Sequence, residues 1–258
     1  MMTHKPPQGW PEGVGRVLLD TIDSTNAEAL RRAPGLNDPM WIVAGEQTAG
    51  RGRRARAWAS PKGNFYGTLV MKPQGDAAHI ALRSFVTALA LRDALVALTG
   101  LPDCFTLKWP NDVLLNGGKL AGILLEGVSG GAHPILCIGI GINLVFAPDA
   151  SQVEQGAVAP VSILAETGLR ITPGQMLDAL APAFAYWEGR LVAEGFAPLR
   201  DAWMEHAARK GEVIIARTGL GATATSRQGV FRGIDATGAL QLEIGGTMTA
   251  IPAADVFF

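Results

Sequence analysis

Residues 112–127 read DVLLNGGKLAGILLEG, two apolar runs of strand length separated by Asn116, Gly117 and Gly118. Those three residue types accept positive φ, so the stretch predicts a tight hairpin between two strands. Lys119 stands at the mouth of the hairpin, where a charge meets sequence that should be buried. On either side the pattern continues: FTLKWP (105–110) predicts a strand, and HPILCIGIGINLVF (133–146) extends the same sheet.

Further out, RVLLDTID predicts a strand, followed by a helix over STNAEALRRA in which Thr25 and Glu28 have the spacing of a capping box. MWIVAGEQ and NFYGTLVMKP are further strands. Residues Ala77 to Leu98 have apolar positions at helical spacing and predict one long amphipathic helix closed by TGLP. Helices follow over SILAETG, over the segment that begins at Thr172 and Pro173, and over FAPLRDAWMEHAAR. From Gly211 the character changes to short β-type runs, EVIIAR, TSRQGVFRGI, LQLEI and MTAI, which predict a small β-barrel. The expected fold class is α+β: a central mixed β-sheet with packed helices over 1–210, then a C-terminal β-barrel domain over 211–258.

The chain has 258 residues, 48% of them hydrophobic, with 22 basic against 23 acidic side chains and a net charge of −1. A neutral chain of this size has no general field to draw it to nucleic acid or an anionic membrane. Cys104 and Cys137 lack paired spacing, and His4, His79, His133 and His206 offer no i, i+4 metal pair. Without an apolar leader, the expected location is cytoplasmic.

Against that background EQTAGRGRRARAW (46–58) concentrates Arg51, Arg53, Arg54 and Arg56 in one loop. Ordering backbone costs about 1–2 kcal/mol per residue, on the order of 10 kcal/mol for this loop, and it has few apolar side chains to offset that. An anionic ligand held by the arginine forks would supply the missing free energy, with Gly50 and Gly52 permitting close backbone approach. A solvated basic loop or a weak RNA contact is the bland alternative. Trp58 can stack on a planar base or sit in the core. LKWPND is either a simple turn or a site built from Lys108, Asn111 and Asp112. Lys119 is either solvated or functional, and Ser24 and Thr25 either cap a helix or bind a ligand. No phosphate-binding glycine loop ending in Gly-Lys-Ser or Gly-Lys-Thr is present.

DTIDSTN, GEQTAGRGRRARAW, SPKGNFY, LKWPND, KLAGILLEG and IGIGINL, taken in order, resemble the successive signature segments of the biotin protein ligases, closely over residues 20–144 and more loosely beyond. The resemblance implies a two-step reaction: biotin and ATP give biotinyl-5′-AMP, and a lysine of a biotin carboxyl carrier protein then takes the biotinyl group. It implies Lys119, Arg53 and Arg51 as the catalytic cations. It implies a biotin site from Ser24, Thr25, Asn26, Gln47, Gly50, Arg51, Gly52, Arg53, Tyr66, Lys119, Gly122 and Leu124. The ATP site would use Arg53, Arg56, Trp58, Lys108, Asn111, Lys119 and Asn143, with magnesium near Asp112. The rival reading is a lipoate or octanoyl ligase on the same scaffold. Two departures stand out. Ala55 occupies a place where the family often has glycine. Only about twenty residues precede DTIDSTN, so a short form without an N-terminal DNA-binding domain is expected. A homodimer through a sheet edge is a further expectation.

Overall fold

The computed structural model describes residues 9–128, 134–149, 153, 154, 156–219 and 224–258; His4 and His133 lie outside them. Seven strands form the main sheet: β1 (Gly15–Ile22), β2 (Met40–Gln47), β3 (Phe65–Met71), β4 (Phe105–Lys108), β5 (Asp112–Leu115), β6 (Gly118–Val128) and β7 (Ile135–Ile142). Their order is β1-β2-β3-β7-β6-β5-β4, with β1 and β2 parallel and every other neighbouring pair antiparallel. The β5–β6 hairpin turns on Asn116 and Gly117, both at positive φ, as a two-residue turn of this hand demands. Gly118 already belongs to β6, which narrows the expected three-residue turn to two.

Helix α1 (Thr25–Arg32) packs on one face of the sheet, where Ala29, Leu36, Ile42, Val70 and Cys137 form a small core. Its N-cap is Ser24, whose Oγ accepts from the Ala27 amide. The expected Thr25–Glu28 capping box does not form. The cap lies one residue earlier, and Glu28 instead meets Arg31 at 2.8 Å and Arg32 at 2.7 Å.

The other face carries the main core, where the expected long helix is two: α2 (Ala77–Ala81) and α3 (Arg83–Thr99), broken at Leu82. Helix α3 is buried on most sides rather than amphipathic, because α5 (Pro173–Glu194) and α6 (Phe196–Glu205) cover the face that would otherwise meet water. Even Arg83 is buried, satisfied by Glu188 at 2.7 Å and the His79 carbonyl at 3.0 Å. The short α4 (Ile163–Thr167) precedes α5, which opens on a full capping box between Thr172 and Gln175. Among the described residues no helix is long and apolar enough to cross a membrane.

The C-terminal strands are β8 (Val213–Thr218), β9 (Thr225–Ile234), β10 (Leu240–Ile244), β11 (Thr247–Ile251) and β12 (Asp255–Phe257). They form a five-stranded antiparallel sheet in the order β11-β10-β9-β8-β12 and not the expected barrel. Closure would need β11 to pair with β12, but these two lie at opposite edges. Strand β12 has too few residues to show any periodicity in sequence.

Candidate active site

The α1 face of the main sheet holds a cleft of about 820 Å³, near the upper end of the usual range for small-molecule sites. Its floor follows from strand register. Gly141 of β7 and Gly122 of β6 form one row, in register with the buried Tyr66 of β3 beyond the cleft, and Thr68, Gly139 and Leu124 form the next. The indole of Trp58 lies on the first row: a Cβ on Gly141 would stand 2.5 Å from the ring, and one on Gly122 3.1 Å from it. Only glycine leaves that space. The Trp58 Nε1 is buried and has no hydrogen-bond partner among the described residues. Lys119 Nζ sits 5.6 Å from the ring centroid, close enough for a cation–π contact.

One end of the cleft is a hydrogen-bonded chain of hydroxyls and amides that ends on the Glu126 carboxylate. The Thr25 amide and hydroxyl donate to Gln47 Oε1 at 2.9 and 3.1 Å, and Gln47 Nε2 donates to Ser60 Oγ at 3.0 Å. The Thr68 hydroxyl faces Asn26 Oδ1 at 2.6 Å and Thr25 Oγ1 at 2.8 Å. Asn26 Nδ2 donates to Glu126 Oε2 at 2.7 Å, and the other Glu126 oxygen lies 3.8 Å from Arg51. Hydroxyls and amides arranged this way match a ring with both N–H donors and a carbonyl acceptor. Glu126, Thr68 and Ser60 were not singled out in the sequence. For Glu126 a signal existed, since Gly122, Leu124 and Glu126 alternate onto one face of β6.

The other end is charged. Asp112 is buried between two ammoniums, Lys119 Nζ at 2.7 Å from Oδ1 and Lys108 Nζ at 3.5 Å from Oδ2. Burial opposes ionisation of Asp112, but Lys119 and Lys108 outweigh it and hold the carboxyl below its ordinary value. Burial lowers the Lys108 ammonium from its ordinary value, partly countered by Asp112. Asn111 accepts from Arg53 at 3.4 Å and donates to the Ile123 carbonyl at 2.7 Å. Asn143 is buried in the cleft wall and donates to the Val161 carbonyl at 3.1 Å. Among the described residues no three His, Cys, Asp or Glu side chains gather as a metal site. With both Asp112 oxygens facing ammoniums, the donor set does not fit a resident metal ion.

The arginine loop is folded over the cleft. Gly52 N donates to Arg56 O at 2.7 Å, Trp58 N to Gly50 O at 2.9 Å, and Arg51 bridges Ala57. Arg54 and Ala55 both have left-handed φ, 56° and 57°. Each costs a side-chain-bearing residue about 1–2 kcal/mol, so the departure at Ala55 falls where glycine would relieve strain. The guanidiniums find carboxylates within the chain. Asp255 lies 3.4 Å from Arg53, 2.8 Å from Arg54 and 2.8 Å from Arg56, and Glu154 is 2.8 Å from Arg56. Burial lowers the Arg53 guanidinium from its ordinary value, countered in part by Asp255 and Asp112.

Of the residues expected at the site, Ser24, Thr25, Asn26, Gln47, Gly50, Arg51, Gly52, Arg53, Arg56, Trp58, Lys108, Asn111, Asp112, Lys119, Gly122, Leu124 and Asn143 line this one cleft. Tyr66 does not. It is buried in β3, and its hydroxyl turns away to the Pro61 carbonyl at 2.8 Å.

Residues 18–143 match the model of the biotin/lipoate A/B protein ligase family, and residues 211–258 match that of the biotin protein ligase C terminal domain. The chain is 56% identical over 244 residues to the biotin–acetyl-CoA-carboxylase ligase of Paracoccus denitrificans, covering 93% of this chain and 99% of that protein. It is 34% identical over 254 residues to the bifunctional ligase/repressor BirA of Escherichia coli, covering 95% of this chain and 74% of that one. In fold it resembles the biotin protein ligase from Aquifex aeolicus solved with biotin and ATP, with a TM-score of 0.76 at 23% identity over 94% of this chain and 98% of that one.

Proposed function

This chain belongs to the biotin/lipoate A/B protein ligase family, on its biotin protein ligase branch, and from that premise we propose how its cleft joins biotin to a carrier protein. The enzyme activates biotin with ATP as biotinyl-5′-AMP and transfers the biotinyl group to a lysine, the carrier proposed here being the biotin carboxyl carrier protein of acetyl-CoA carboxylase.

In the first step a biotin carboxylate oxygen attacks the α-phosphorus, the bond from that phosphorus to the bridging oxygen breaks, and pyrophosphate leaves. Two anions must meet, and cations between them lower the repulsion. Lys119 is the proposed centre of this charge, steered by the Asp112 oxygen at 2.7 Å, with Arg53 and Lys108 on either side. Thr25, Asn26 and Gln47 are proposed to receive the ureido ring, and Trp58, Lys108, Asn111 and Asn143 to hold the nucleotide. Magnesium is proposed to arrive on the nucleotide phosphates, as part of that substrate. In the second step a neutral lysine amine attacks the acyl carbon, the bond to the phosphate oxygen breaks, AMP leaves and the nitrogen loses a proton. The folded arginine loop keeps water from the acyl-adenylate in the interval.

The observation that carries this reading is the convergence of Lys108, Lys119 and Arg53 on one cleft with a single buried carboxylate between the lysines. Incubating the enzyme with a carrier domain, ATP, magnesium and biotin should raise the carrier mass by one biotinyl group. Transfer of lipoate or octanoate in place of biotin would contradict it.

A further inference from the structure

Among the described residues Asp255 is the one carboxylate that reaches three arginines of the loop. Oδ2 takes Arg54 and Arg56, both at 2.8 Å, and Oδ1 faces Arg53 at 3.4 Å. The neighbouring Ala254 carbonyl accepts from both terminal nitrogens of Arg53 at 3.3 Å. The Asp255 side chain is only 11% exposed and lines the cleft. Nothing else among the described residues holds Arg54.

The position of this carboxylate is fixed by the C-terminal sheet. Strand β12 pairs with β8, setting Asp255 opposite Arg217, while Val256 is buried. Arg217 covers the Phe257 ring at 4.5 Å and bonds Glu154, the second partner of Arg56. The Phe258 ring lies 5.7 Å from Lys108 Nζ and 5.0 Å from the Arg209 guanidinium. The last four residues therefore touch the cleft at several points.

We infer that Asp255 is a positioning residue for the nucleotide step: it gathers the loop guanidiniums into a fixed set that faces the ATP phosphates, which makes the C-terminal sheet a working part of the reaction centre. Three guanidiniums against Asp255 and a Glu154 shared with Arg217 leave positive charge in surplus beside the cleft, the sign a polyphosphate requires. The same ion pairs offset the left-handed strain at Arg54 and Ala55. Without the carboxylate the guanidiniums repel one another and the turn relaxes, so the phosphates must order the loop themselves.

This inference rests on the ligase reading, and biotin-dependent exchange of pyrophosphate into ATP separates the two. Asp255→Asn should raise KM for ATP about tenfold while kcat and the biotin dissociation constant stay within about threefold. Asp255→Glu, which keeps the charge, should recover most of the loss, and calorimetric biotin binding verifies that each variant is folded. An unchanged KM for ATP in Asp255→Asn overturns the inference, as does a rise in KM accompanied by comparable losses of kcat and biotin affinity in both variants, the pattern of a merely structural role. A wild-type enzyme without biotin-dependent exchange removes the ligase reading beneath it.

Discussion

Asp112 sets the charge balance at the bottom of the cleft. A carboxylate buried with two ammoniums is stable only as part of the set, since removing one partner strands the others in a medium that solvates charge poorly. Asp112→Asn should therefore cost about 3 kcal/mol of stability at pH 7, measured by denaturant unfolding. The pH dependence follows from the native carboxyl lying below its ordinary value. Its contribution is complete above about pH 4, where the unfolded chain is ionised, and is lost as pH falls through the lower native value. The variant should lose less stability than the wild type on acidification through that window. An equal acid limb in both proteins would contradict the depressed value. From the sequence, Asp112 was legible only as part of LKWPND. Of its two ammonium partners, Lys108 lies in the same segment, but Lys119 depends on the fold of the hairpin, which brings it back beside β5.

The arginine loop is an element whose shape conflicts with its residues. Two successive left-handed residues without glycine persist because backbone hydrogen bonds and carboxylates from the chain hold them. A β-branched side chain in that backbone region is worse than alanine. Ala55→Val should thus loosen the folded loop, read as at least about a fivefold faster protease cleavage within residues 51–57, whereas Ala55→Gly should be cut no faster than the wild type. Equal cleavage of all three proteins would contradict the strained geometry. The β5–β6 hairpin was legible because its turn residues and apolar runs are local. Two other elements were not. The break at Leu82, where the Leu82 amide turns to the His79 carbonyl, leaves the apolar spacing of the segment unchanged, and β12 is three residues long with its meaning in Asp255, about 200 positions away from the arginines it meets.

Across the whole molecule, two sheets supply one cleft. The main sheet contributes the glycine floor, the lysines and the chain of neutral donors and acceptors, while the C-terminal sheet contributes the carboxylate opposite the loop. Four of the five strands in the second sheet could be read from its short β runs, but β12 could not, and whether the sheet closes depends on which strands become edges, a long-range property that β11 and β12 settle by lying apart. A chain of net charge −1 thereby concentrates cations in one place without becoming a polycation. The central claim is that this concentration, with Lys119 at its middle, lets a carboxylate react with a polyphosphate. Biotin-dependent pyrophosphate exchange by the wild type and by Lys119→Ala tests it most directly. The predicted result is a fall of about 10²–10³-fold in the exchange rate at saturating biotin, with biotin affinity changed less than about threefold. An undiminished rate at saturating biotin, with only the affinity reduced, would contradict it.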